Sequence, residues 1–235
     1  MFIPLRDDNP TRRTSVVTIS LIILNAVVFF VQVFSPQGLQ YSVLKMGAIP
    51  YEITHLRSLA FTFAGSGDVL QRLFPPLTLV ASMFLHGGLF HLIGNMLYLW
   101  IFGNNVEDFL GRVRFVFFYL VSGLGASLFH ILLNPNSRVP MIGASGAIAG
   151  VLGAYMILYP GARVMTLVFI WIVPVPAAII LGLWFVGQLM NVGLGGGVAW
   201  LAHIGGFLVG LVIIRSLLLK QRKLLERDAL DSQEA

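Results

Sequence analysis

Along this chain, long apolar runs alternate with short breaks that carry nearly all the charge. Six runs stand out, at about 16–34, 88–104, 113–133, 141–159, 164–187 and 199–217. Each is about 17–25 residues long, the length at which a helix crosses roughly 30 Å of hydrocarbon. The pattern therefore predicts an all-α fold: a polytopic membrane protein built as a bundle of six transmembrane helices. The fifth run contains Pro174 and Pro176 and is expected to be kinked. Residues 35–87 are too polar in places to span, as at Gly65-Ser66-Gly67-Asp68, yet are rich in Phe and Leu. They read as an external loop lying partly buried at the interface. The first run has two aspartates before it and no small-residue cleavage site after it, so it is expected to be retained as a span. The domain reading is a segment 1–15, a membrane-embedded unit 16–219, and a charged tail 220–235 expected to fray as a helix end.

Composition agrees and removes alternatives. Of 235 residues, 57% are hydrophobic and 11% charged, less than half the charged share of a soluble domain. The absence of cysteine excludes thiolate chemistry, iron–sulfur clusters and cysteine-type zinc sites. The net charge of +5 reads as a topology signal, with no nucleic acid implied. Six spans place 11 of the 15 basic residues on the side of both termini and leave Lys45, Arg57, Arg72 and Arg138 on the other. By the positive-inside rule both termini are expected in the cytoplasm, with the chain in the plasma (inner) membrane.

Polar residues at membrane depth are costly and mark function unless they serve as helix–helix contacts. Asn25, Gln32, Ser122, Ser127 and His130 read as such contacts. Three places differ. His86, His91 and Asn95 open the second run, with His91 and Asn95 four apart on one helix face. Gly143-Ala144-Ser145-Gly146 opens the fourth run, and Ala202-His203-Ile204-Gly205-Gly206 the sixth. All three sites fall at the same ends of parallel spans, at one depth. Gly146, Gly150 and Ala154 form a stripe of small residues, as do Ala202, Gly206 and Gly210. Packed together, such stripes bring Ser145 and His203 within hydrogen-bond reach.

A serine hydroxyl needs a base, and histidine is the usual one. Between Asp108 and Glu226 the chain has no acid, so this pair has to act as a dyad, with packing and a backbone or water contact holding the imidazole. Asn95, His91 and the free backbone N–H groups at the helix start would form an oxyanion site. His86 and His91 lack the spacing and carboxylate of a zinc protease, an intramembrane aspartyl pair has no aspartates, and no metal or cofactor is needed. Gly193-Leu194-Gly195-Gly196-Gly197 is not followed by the Lys or Ser of a phosphate loop and reads as a turn.

These motifs, together with Glu107-Asp108 and Gly111-Arg112, resemble those of the rhomboid intramembrane serine proteases, bacterial type, over about residues 80–210. The resemblance implies a serine endopeptidase that cleaves transmembrane protein substrates near their external ends. Ser145 would be the nucleophile and His203 the base, with Asn95 and His91 at the oxyanion. The fifth span, with Trp184 and Phe185, and the loop 188–198 would gate and cap the site. Leu77-Thr78 stands where some members carry Trp-Arg, and Ala149 where some carry a tyrosine that stacks on the histidine. The other readings are a catalytically silent rhomboid-like protein that binds transmembrane clients and a small transporter. The sequence leaves the oligomeric state open.

Overall fold

The computed structural model describes residues 2–59, 70–194 and 197–234. The Gly65–Asp68 stretch and Gly195-Gly196 lie outside the described residues. The architecture is a helical bundle. Helix α1 (Val16–Phe34) is followed by the short helices α2 (Gly38–Met46), α3 (Pro50–His55) and α4 (Pro75–Ala81), within the segment read as an interfacial loop. A single 3-10 turn, Ser82–Phe84, leads to α5 (Leu89–Leu110), then α6 (Arg112–Leu133), α7 (Ser145–Leu158), α8 (Ala177–Met190) and α9 (Trp200–Glu234). Among the described residues α1, α6 and α9 are long and apolar enough to cross a membrane. The pair Pro75–Phe84 and Leu89–Leu110, bent by 78°, qualifies as a fourth, broken span. Helices α7 and α8 are apolar but shorter.

The fifth run departs from expectation. Its first part is not helical: Arg163–Val168 (β2) and Trp171–Pro176 (β3) form a hairpin, and the helix starts at Ala177 rather than 164. The reason is local. Pro174 and Pro176 cannot continue a helix, and the run between Val164 and Val175 is rich in β-branched residues. The N-terminal segment is also ordered: Phe2–Asp7 (β1) pairs antiparallel with β2, completing a three-stranded sheet in the order β1-β2-β3. The charged tail is helical: α9 runs past Lys220 to Glu234, carrying an exposed i,i+4 bond from Arg222 to Glu226.

Carboxylates fasten the sheet end of the bundle. Asp7 Oδ2 accepts from the Tyr155 hydroxyl at 2.6 Å and from Asn105 Nδ2 at 2.7 Å, tying β1 to α7 and α5. Glu107, 3% exposed, lies beyond residue 104, where the apolar run ends, yet within α5. Its carboxylate accepts from the backbone N–H groups of Val17 and Thr18 and from Thr18 Oγ1. A helix start has unpaired donors and a positive dipole end, so Glu107 supplies from another helix the cap that Ser15 does not.

Helices α7 and α9 meet backbone to backbone. A Cβ at Gly206 would overlap the Gly146 carbonyl, one at Gly210 the Gly150 carbonyl, and one at Gly153 the Phe207 carbonyl. In lipid, where no hydrophobic force drives helices together, such close approach gains the van der Waals packing that helps them associate. Around this contact lies the core, with Phe102, Phe115, Tyr119, Leu152 and Tyr155 almost fully buried.

Candidate active site

Helices α5, α7 and α9 all start at the end of the bundle opposite the sheet. Helix α7 has 14 residues, about 21 Å at 1.5 Å per residue, which is short of the hydrocarbon thickness. Its first residue, Ser145, lines a cavity of about 650 Å³ together with Pro140 and Val198. No side chain caps the start of α7, so its first backbone N–H groups are left without partners inside the helix.

The α7–α9 contact sets the distance between Ser145 and His203. His203 is in the first turn of α9, and its Nε2 lies 2.8 Å from Ser145 Oγ. Its Nδ1 faces Gln188 Oε1, on α8, at 2.7 Å. Two indole rings flank the imidazole, Trp184 and Trp200, each with its centroid 6.0 Å away. At Ala149, one turn after Ser145, the side chain is fully buried and brings no ring, so the imidazole is held by the Gln188 side chain and two tryptophans. The expectation of a backbone or water contact is replaced by this amide. Gln188 was not singled out from sequence: it lies one residue past the end of the fifth apolar run. Its only signal there is an uncharged polar residue in an apolar stretch.

His91 and Asn95 line the same cavity. Asn95 Nδ2 donates to the His91 carbonyl at 3.1 Å, and His91 Nδ1 accepts from the Gly87 N–H at 3.3 Å. Gly143 separates His91 from Ser145. Its φ of +115° favours glycine, and a Cβ there would stand 2.8 Å from His91 Nε2 and 3.6 Å from Ser145 Oγ. Gly143 thus keeps open the space between the imidazole edge and the hydroxyl. His130, read from sequence as a helix contact, also lines the cavity.

The turn before α5 is pinned from α1. Gln32 Oε1 accepts from the His86 N–H at 3.0 Å, and Gln32 Nε2 donates to the His86 carbonyl. His86 is fully buried, with its ring edge-on to that of His91 at 5.1 Å. It braces His91 rather than lining the cavity. Leu77 and Thr78 lie on α4. The described part of the chain between α1 and α4 is held by a buried Glu52–Arg72 ion pair at 2.7 Å, by a bond from Arg72 to the Gly47 carbonyl, and by pairing of Ala48 with Met141. Among the described residues no group of three His, Asp or Glu side chains converges as a metal site.

The chain matches the model of the Rhomboid domain over residues 75–220, from α4 into α9. It is 30% identical over 190 residues to Rhomboid protein 1, mitochondrial, of Saccharomyces cerevisiae, covering 75% of this chain and 52% of that protein. RHOMBOID-like protein 5 of Arabidopsis thaliana is 36% identical over 151 residues, 60% of this chain and 44% of that one. Rhomboid protease GluP of Bacillus subtilis is 36% identical over 132 residues, 56% of this chain and 24% of that one. The chain spans about half or less of the length of these relatives.

Proposed function

Because this chain belongs to the rhomboid family, and is accordingly a multi-pass membrane protein, we propose that it is an intramembrane serine endopeptidase. Its substrates are transmembrane helices of other proteins, cut near the end of the bilayer where Ser145 lies. The observation that carries this reading is the 2.8 Å approach of His203 Nε2 to Ser145 Oγ, both lining one cavity.

The chemistry follows from the positions. His203 Nε2 takes the hydroxyl proton as Ser145 Oγ attacks the scissile carbonyl carbon, and the carbonyl oxygen becomes an oxyanion. The Ser145 N–H at the start of α7, the Asn95 amide and His91 Nε2–H form the oxyanion site, reached through the gap left by Gly143. The imidazolium then gives its proton to the leaving amine, the C–N bond breaks, and an acyl-serine remains. A water activated by His203 hydrolyses that ester and regenerates the hydroxyl. A peptide carbonyl inside an intact helix is hydrogen-bonded and wrapped by side chains, so the scissile segment has to unwind. Small or helix-breaking residues are therefore the substrate feature expected there.

The charge distribution supports a plasma-membrane chain with both termini cytoplasmic and the site near the external surface. Residues 16–219 are the membrane-embedded protease unit, with 1–15 and 220–235 on the cytoplasmic side. A fluorophosphonate probe tests the nucleophile without a substrate. Wild type labels covalently, while Ser145→Ala and His203→Ala do not. Equal labelling of Ser145→Ala would overturn the assignment.

A further inference from the structure

We infer that Gln188 is a positioning residue for His203, fixing the imidazole in the one neutral tautomer that can accept the serine proton. This rests on the protease reading above. The two ends of an amide side chain are told apart by their partners. Gln188 Nε2 lies 3.0 Å from the Trp184 carbonyl oxygen, which can only accept. The amide is therefore turned with Oε1 toward the imidazole, 2.7 Å from Nδ1. An oxygen acceptor at that distance requires the proton on Nδ1. In the neutral ring the lone pair is then on Nε2, the atom that faces Ser145 Oγ at 2.8 Å. The result is one directed chain: Ser145 Oγ–H to His203 Nε2, His203 Nδ1–H to Gln188 Oε1, Gln188 Nε2–H to the Trp184 carbonyl. With an apolar side chain at 188, nothing disfavours the opposite tautomer, whose Nε2–H cannot accept a proton.

A carboxylate oriented this way would also stabilise the imidazolium, but at a high cost inside a membrane. The amide keeps the orienting function without the charge, in a chain with no acid between Asp108 and Glu226. Gln188 is 7% exposed, which limits competition from water for the bond. Placement adds a consequence. Ser145 and His203 are on α7 and α9, which are locked together through glycine backbones, whereas Gln188 is on α8. Displacing α8 leaves the serine–histidine distance intact and removes the acceptor from Nδ1, so the base loses its orientation when α8 moves.

The test uses the full chain in liposomes with a model transmembrane substrate across a pH series. Gln188→Met keeps the length of the side chain without its amide, and Gln188→Glu keeps an acceptor and adds charge. The other titratable side chains lining the cavity are His91 and Tyr98 on α5 and His130 on α6. They are common to all variants, so shifts are read against wild type. Gln188→Met should lower kcat by about 10- to 100-fold with KM within about twofold. Gln188→Glu should recover activity at high pH. Its acidic limb should move upward by about one pH unit, because a carboxylate beside the ring favours imidazolium and the base is lost sooner as acid is added. Wild-type kcat in Gln188→Met, or an unmoved limb in Gln188→Glu, would overturn the inference. If Gln188→Met fails to fold, the limb of Gln188→Glu decides alone. Ser145→Ala in the same assay separates the two claims: cleavage by that variant removes the protease reading itself.

Discussion

The Cα of Gly206 faces the Gly146 carbonyl so closely that a single added methyl group would overlap it. Gly146 follows Ser145, and Gly206 lies three residues after His203, so this contact sets how far the hydroxyl is from the imidazole. The Gly210–Gly150 and Gly153–Phe207 contacts extend the same seam.

Gly206→Ala should therefore push α9 away from α7. The expected cost is about 1–3 kcal/mol of stability, with a larger loss of cleavage because the 2.8 Å bond is broken. Gly182→Ala, on α8 where an added Cβ meets nothing within 4 Å, is the control and should retain both. Thermal unfolding in detergent with parallel cleavage rates checks the pair. Equal behaviour of the two variants would contradict the seam.

Removing the Glu107 side chain leaves the start of α1 with two backbone donors and the Thr18 hydroxyl lacking their acceptor. Glu107→Ala is expected to destabilise the bundle by about 2–4 kcal/mol. Any protein that stays folded should keep a normal KM, since Glu107 is at the sheet end, far from Ser145. Denaturation and kinetics on the same preparation separate these effects.

How much of this was legible beforehand differs by feature. Apolar runs announce spans, because the bilayer demands length and hydropathy that a sequence displays directly. The shared depth of Ser145, His203, His91 and Asn95 was readable for the same reason, as positions counted from the ends of runs. The sheet was not. Residues 164–176 are as apolar as a span, and the pairing of Phe2 with Val168 joins segments with no local signal of each other. The partners of Glu107, Asp7 and Gln188 are likewise set by tertiary packing. Each is a single polar residue whose role depends on another helix or strand, and in Gln188 even the direction of the amide is fixed only by its neighbours.

Glu52 and Arg72 form an ion pair whose side chains are 0% and 1% exposed. Glu52→Ala leaves a buried guanidinium without its carboxylate, a loss typically of about 3–5 kcal/mol. The effect should fall on α3 and the residues flanking it rather than on the bundle. Hydrogen exchange should rise at residues 47–59 while α7 and α9 stay protected. Uniform exchange across all helices would show that this segment does not open independently of the bundle.

Asp7→Ala should release β1. With the Tyr155 and Asn105 bonds gone, amides of β2 that pair with β1 should exchange faster and those that pair with β3 should not. Cleavage should change by less than about threefold, because the sheet is at the opposite end from the site. A collapse of activity would mean that the sheet positions α8 through β3.

The central claim is that Ser145 and His203 form the catalytic pair of an intramembrane protease. The most direct measurement is cleavage of a model transmembrane substrate in liposomes by wild type, Ser145→Ala and His203→Ala. The pair predicts a single cut near the membrane boundary on the Ser145 side by wild type and none by either variant. Cleavage by both variants at the wild-type rate would contradict it.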